Sequence, residues 1–128
     1  MENRGYSAEI TEVVGLDLTK KQIVAITTAD DSLPLDATAE QGEFEIDDIL
    51  GYVKVSIHNE KANGDKDYSK YIILCADGTS YSTGSESFMN TFISIFNQME
   101  GEKDWGIRVL RKPSKNFSGK YFLTCAII

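Results

Sequence analysis

Residues 83–101 constrain the fold most, because they carry the one complete helix signature of the sequence. Thr83-Gly84-Ser85-Glu86 fits a capping box, with Ser85 and Ser87 as alternative caps. Gly101 is placed to stop the helix. Between them, five apolar side chains recur at helical spacing and form one stripe: Phe88, Phe92, Ile95, Phe96 and Met99. We therefore predict an amphipathic helix whose stripe packs on the core.

The segments around this helix are typical of β-strands. Residues 49–58 alternate, with Val53, Val55 and Ile57 on one face and the polar Lys54 on the other. Asp77-Gly78 predicts a tight hairpin turn. The remaining strands are predicted over residues 22–29, 68–76, 79–83, 105–112 and 120–127, the last two joined by a hairpin loop over 113–119.

Two segments are less regular. Residues 1–21 hold either one strand or a loose arm. Residues 30–48 carry Pro34 and eight acidic side chains, and we interpret them as a long acidic surface loop with a helical turn after Asp36.

The predicted fold class is mainly β with one helix. A chain of 128 residues fits a single domain of roughly 100–150 residues. The helix falls between the third and fourth main strands, which is the order of an OB-like five-stranded barrel. We predict one OB-like domain over residues 1–128.

Composition excludes several classes of protein. Hydrophobic residues make up 41% and charged residues 26%, which argues against a disordered or collagen-like chain. No apolar run approaches the roughly 18–20 residues of a membrane span. The first residues lack the basic and apolar regions of a signal peptide. We expect a cytoplasmic protein without membrane contact.

Catalytic and metal chemistry find little support in the sequence. Cys75 and Cys125 each lie in an apolar run and are predicted to be buried free thiols; a disulfide would require neighbouring strands. Together with His58, the single histidine, they cannot assemble an obvious zinc site. We predict that the protein is not an enzyme and binds no metal or cofactor.

The charge changes sign along the chain. The net charge is −7, yet residues 105–128 carry five basic side chains and no acidic one. Basic side chains interleaved with aromatic ones are typical of single-stranded nucleic-acid sites. Trp105, Ile107 and Val109 are expected to point inward. We predict nucleic-acid contacts from Arg108, Arg111, Lys112, Lys115, Phe117, Lys120 and Tyr121.

Two points of this prediction stay open. Phe117 lies in a polar stretch, so its side chain either folds back onto the core or stays exposed and binds a ligand. Lys54 and Tyr52 share a strand face that either extends the site or is merely solvated.

More than half of the chain resembles small single-stranded DNA-binding proteins of phages and conjugative elements of Gram-positive bacteria. The resemblance rests on residues 57–61 (IHNEK), 77–88 (DGTSYSTGSESF), 112–116 (KPSKN) and 119–125 (GKYFLTC). It implies an OB-like fold and sequence-tolerant binding of single-stranded DNA during replication or recombination, with replication or recombination proteins as further partners. The apolar C-terminus departs from the acidic tail of better-known bacterial relatives.

A rival interpretation uses the acidic half of the chain. The carboxylates of residues 30–48 would mimic a phosphate backbone, and the protein would inhibit or engage a host protein such as a defence factor. Whether the chain forms a homo-oligomer is left open.

Overall fold

The computed structural model describes residues 6–28, 32–40, 42–61, 64, 66–113 and 121–128. Its strands are β1 (Tyr6–Val14), β2 (Leu33–Pro34), β3 (Phe44–Asp47), β4 (Ile49–Asn59), β5 (Asp67–Cys75), β6 (Ser80–Thr83), β7 (Gly106–Pro113) and β8 (Tyr121–Ile127). Its helices are α1 (Lys20–Thr28), α2 (Leu35–Ala39) and α3 (Glu86–Gln98). The mainly β class is confirmed, but the described residues form two helices, α1 and α2, in addition to the predicted one.

The strands form two sheets. One sheet has the order β1-β4-β5-β6-β2, and the other has the order β3-β7-β8. All neighbours are antiparallel except β2 and β6, which run parallel. The strand pairs of the described residues do not close a barrel, so the OB-like five-stranded barrel is not confirmed.

The main core lies between the two sheets. Its fully or nearly buried side chains come from β4 and β5 of the larger sheet, from β3, β7 and β8 of the smaller sheet, and from α2 and α3. Tyr52 meets Phe92 edge-on, with 5.7 Å between the ring centres. A second apolar cluster of Val53, Val55, Ile57 and Ile72 covers the opposite face of the larger sheet. The larger sheet is therefore apolar on both faces.

Helix α3 confirms the central prediction. The Ser85 hydroxyl accepts a hydrogen bond of 3.2 Å from the Phe88 N–H, which caps the helix as the sequence indicates. Phe88 and Phe92 are fully buried, and Phe96 of the same stripe packs against this core. Gly101 adopts a positive φ of 84° in the turn after the helix.

The predicted strand over residues 22–29 is wrong, because residues 20–28 form α1. The Gln22 N–H donates to the Thr19 hydroxyl at 3.2 Å, and the Thr19 N–H donates to the Gln22 side chain at 2.8 Å. This reciprocal capping box starts a helix in spite of the β-branched residues that follow. Ile26 of α1 then packs against the second apolar cluster.

The predicted long loop over residues 30–48 is also wrong in its described part. That part folds into β2, α2 and β3, and it buries Leu35, Ala39 and Ile46. The helix begins at Leu35, so Asp36 lies inside it and is not the N-cap. The apolar side chains anchor the segment while most of its acidic ones stay exposed. Of the two alternatives for residues 1–21, the strand is confirmed, because residues 6–14 form β1. Residues 1–5 lie outside the described residues.

Candidate nucleic-acid interface

An arginine and a tyrosine meet at the outer end of the β7–β8 pair. Arg111 lies opposite Leu123, and Tyr121 lies opposite Pro113. The two side chains project from the same face, because both follow the alternation of the buried Val109 and Leu123. The Arg111 guanidinium carbon is 4.4 Å from the centre of the Tyr121 ring, a cation–π contact. The Tyr121 side chain stays 55% exposed, so part of its ring is open to a ligand.

A shallow groove joins this pair to the start of α3. It has a volume of about 360 Å³, and we call it the β7–β8 groove. Its lining residues are Glu40, Ser85, Ser87, Arg111, Tyr121, Phe122 and Leu123. The groove thus combines one cation, the hydroxyls of two serines and the exposed Tyr121 ring, with one carboxylate on its wall.

Sequence reasoning assigned Ser85 only as a helix cap and did not include Phe122 in the site. Phe122 lies opposite Lys112 in the β7–β8 pairing, and its side chain is 41% exposed. The sequence signal for Phe122 was its position directly after Tyr121, in an aromatic pair that follows Lys120.

Arg108 is exposed as predicted, but it already has an anionic partner. Its guanidinium donates to the Glu45 carboxylate at 2.8 Å across the β3–β7 pair. The hydrogen bond that Arg108 donates to Glu45, together with the charge of that carboxylate, raises the pKa of Arg108. Glu45 therefore competes with a phosphate for this cation, whereas Arg111 and Lys112 are exposed at the open end of β7.

The structure corrects the predicted placement of Tyr52. Its side chain is 3% exposed and packs edge-on against Phe92 and Phe96. Burial, followed by the charge of Glu12, raises its pKa. Tyr52 is thus a core residue and does not lie on an exposed polar face. The polar face of β4 begins only at Lys54.

Lys54 is connected to the groove through two other side chains. Its ammonium group lies 5.6 Å from the centre of the Tyr71 ring. The Tyr71 hydroxyl donates to the Glu86 carboxylate at 3.3 Å. Glu86 stands between Ser85 and Ser87 at the start of α3, so this chain of contacts ends next to the β7–β8 groove.

The predicted contacts from Lys115, Phe117 and Lys120 fall on residues 114–120, which lie outside the described residues. These three residues stay sequence predictions, and so does the open choice between core and ligand for Phe117.

The cysteines and the histidine occupy separate places. Cys75 and Cys125 are both free and buried, as predicted, and burial raises the pKa of each thiol to about 11. His58 lies 2.7 Å from Asp67 and 2.6 Å from Glu60, and Lys66 contacts Glu60 at 3.2 Å. In the described part of the chain, no three histidine, cysteine or acidic side chains cluster as metal ligands would.

Within the described ranges, no helix has the length and apolar character needed to cross a membrane. Comparison with protein-family models, with curated proteins and with solved structures finds no match to this chain.

Proposed function

We propose that this protein binds single-stranded DNA without strong sequence preference and catalyses no reaction. The observation that carries the proposal is the Arg111 guanidinium stacked on the exposed Tyr121 ring at the open end of β7 and β8. Sites for single-stranded nucleic acids combine cations that follow the phosphates with aromatic rings on which bases stack. Arg111 and Tyr121 supply one cation and one aromatic ring that contact each other directly.

Different side chains of the β7–β8 groove can contact the bases and the phosphate backbone of the DNA. Arg111 covers part of the Tyr121 ring, and the exposed remainder is free to stack on a base. The charge of Arg111 neutralises phosphates in the groove, and Lys112, on the other face of β7, adds positive charge at the same strand end. Hydroxyls at a helix start also donate to phosphate oxygens, and Ser87 is exposed in this position. Stacking and charge tolerate every base, so such a site does not depend on sequence.

The finer fold assignment belongs to the same proposal. The support for an OB-like arrangement is the position of α3 immediately before the last two strands and the core shared by both sheets. A role in replicating or recombining the DNA of a phage or mobile element, in the cytoplasm of its host, rests on the resemblance described above.

The test is fluorescence anisotropy with a labelled oligo-dT of about 20 nucleotides, longer than the roughly 4–16 nucleotides that one OB domain covers. We expect binding at about 50 mM salt with a Kd near or below 10⁻⁵ M, on the order of non-specific affinities. Matched duplex DNA is the competitor and should bind more weakly. No binding at tens of micromolar protein (on the order of 10⁻⁵ M) would refute the proposal and favour the acidic inhibitor.

A further inference from the structure

At the opposite end of β7, a leucine side chain projects into solvent from a β-bulge. Ile49 lies opposite Cys75 and Gly51 opposite Leu74, so Leu50 is the extra residue of β4. Its side chain is 50% exposed. A bulge re-aims the side chain it carries, and bulges are often found next to functional sites.

Leu50 is the lining residue shared by three neighbouring cavities of about 300, 290 and 430 Å³. We call these cavities together the Leu50 groove. Trp105 lines two of the cavities, and Gly15 also lines two. The remaining wall is part apolar and part polar, and its larger apolar side chains include Val14, Leu16, Ile49, Phe96 and Met99.

Close backbone contact fixes the position of Leu50. A Cβ atom at Gly51 would lie 2.1 Å from the carbonyl oxygen of Val14, and one at Gly15 would lie 2.7 Å from that of Leu50. Gly15 also has a positive φ of 76°, which favours glycine. The end of β1 therefore holds the bulge tightly, and the groove is formed before any partner arrives.

The rim of the Leu50 groove is acidic. Its carboxylates come from Asp17, Asp48, Glu100, Glu102 and Asp104, and Lys103 is the one basic side chain among the described lining residues. Such a rim repels phosphates and attracts cations. An exposed apolar anchor inside a charged rim is the pattern of a protein-docking site.

We propose that the Leu50 groove binds a basic segment of a partner protein. An apolar side chain of that segment packs beside Leu50 and Trp105, and its lysines or arginines face the acidic rim. Charge complementarity selects this occupant over DNA. The inference does not depend on DNA binding, because it concerns a different surface with the opposite charge.

The single tryptophan of the chain provides a direct readout, because Trp105 lines the Leu50 groove. The probe is a short acetylated peptide of lysines around two leucines, without aromatic residues. The matched control peptide has serines in place of the leucines. We expect saturable change of Trp105 emission with the leucine peptide and at least about five-fold weaker binding of the serine peptide, the effect of losing a significant interface anchor.

Two kinds of variant test the two parts of the groove. Leu50→Ser should weaken the leucine peptide by at least about five-fold without changing the melting temperature. The matched control is Leu33→Ser, since Leu33 of β2 is similarly exposed at 48% and does not line the groove. The double variant Asp48→Asn/Asp104→Asn removes two charges, and asparagine tolerates their φ values of 54° and 60°. This double variant should bind the leucine peptide more weakly than wild type does, and its affinity should depend less on salt concentration.

Equal affinity of wild type and Leu50→Ser for the leucine peptide would overturn the proposal, and so would equal affinity of the two peptides for wild type. If oligo-dT changes Trp105 emission in wild type but not in Leu50→Ser, the groove is a DNA site and the proposal fails. A lack of oligo-dT binding, with the peptide results as expected, would refute only the DNA-binding function.

Discussion

Tyr121 and Arg111 are the described residues on which the proposed DNA affinity depends most directly. Stacking on an aromatic ring contributes about 1–3 kcal/mol per base. Tyr121→Ala should therefore weaken oligo-dT binding by roughly five-fold to over one hundred-fold, at about 1.4 kcal/mol per decade. The side chain is 55% exposed, so the melting temperature should change little. Anisotropy titration and thermal unfolding of the same preparation measure both quantities.

Arg108 offers a matched control for Arg111 on the same strand. Both arginines are exposed, but Glu45 already neutralises Arg108 at 2.8 Å. Arg111→Ala should reduce oligo-dT affinity more than Arg108→Ala does. The opposite order would mean that the outer face of the smaller sheet, rather than the β7–β8 groove, binds the DNA.

His58 should titrate above its ordinary range. The hydrogen bond to Asp67, then that to Glu60, raises the pKa of His58 from 6.5. The stability from this contact is complete below about pH 6.5, the ordinary pKa, and is lost as the pH rises through the higher folded pKa. Because the chain has one histidine, its imidazole proton signals in NMR are unambiguous. The titration midpoint should exceed that of Asp67→Asn, and equal midpoints would contradict the role of Asp67.

Among the secondary-structure elements, α3 depends on its first hydroxyl. The Ser85 side chain satisfies the Phe88 N–H, and no other bond to that donor is formed at the helix start. Ser85→Ala should lower the free energy of unfolding by about 1 kcal/mol, within a range of 0.5–2. Denaturant unfolding measures the change. Ser87→Ala is the control, because the Ser87 hydroxyl contacts the Ser85 hydroxyl and caps no backbone donor in α3. An equal loss in both variants would contradict the capping role.

The contrast between α3 and α1 explains what could be predicted. Local signals agree in α3, where cap, stripe and stop all indicate a helix. They conflict in α1, where β-branched residues favour a strand and the Thr19–Gln22 capping box favours a helix. The helix forms because its capping box satisfies backbone groups locally, so the segment needs no partner strand. Helix α1 packs on β1 and on the second apolar cluster.

The candidate site was only partly predictable for a similar reason. Alternation correctly placed Arg108 and Lys112 on an exposed face, since strand geometry is local. The burial of Tyr52 depends on Phe92 and Phe96, which are distant in sequence. The ion pair of Arg108 depends on β3, in a segment predicted to be a loop. Contacts between distant segments decide both outcomes.

Across the whole molecule, β7 connects two ends of opposite charge. It runs from the acidic rim at Asp104 to the cations Arg111 and Lys112, a strand length of roughly 25 Å at about 3.3 Å per residue. The Debye length is about 10 Å at 0.1 M salt and about 30 Å at 0.01 M. At moderate salt, the ions in solution therefore screen the acidic end from DNA bound at the other end. At low salt, the acidic end repels that DNA.

This geometry predicts a curved salt dependence of oligo-dT affinity. Each neutralised phosphate of a single strand contributes a log–log slope of about −0.7. With Arg108 occupied by Glu45, four C-terminal cations remain, so the slope should be no steeper than about −2.8 between 50 and 200 mM salt. Near 10 mM the slope should flatten, because the acidic end then repels the strand. Anisotropy titrations across this range measure the curve, and a straight line down to 10 mM would contradict the long-range effect.

The apolar packing on both faces of the larger sheet also determines which parts of the protein unfold locally and which unfold only with the whole molecule. Val53, Val55, Ile72 and Ile73 of β4 and β5 are at most 1% exposed. Val53, Val55 and Ile72 belong to the second apolar cluster, and Ile73 belongs to the main core on the opposite face. Their amides can exchange with solvent deuterium only when both apolar clusters separate, which amounts to global unfolding. Helix α1 buries none of its residues and can fray alone. Hydrogen exchange should therefore be slowest in β4 and β5 and fast in α1, so a partner that binds at either end of β7 can do so without loosening the protected centre.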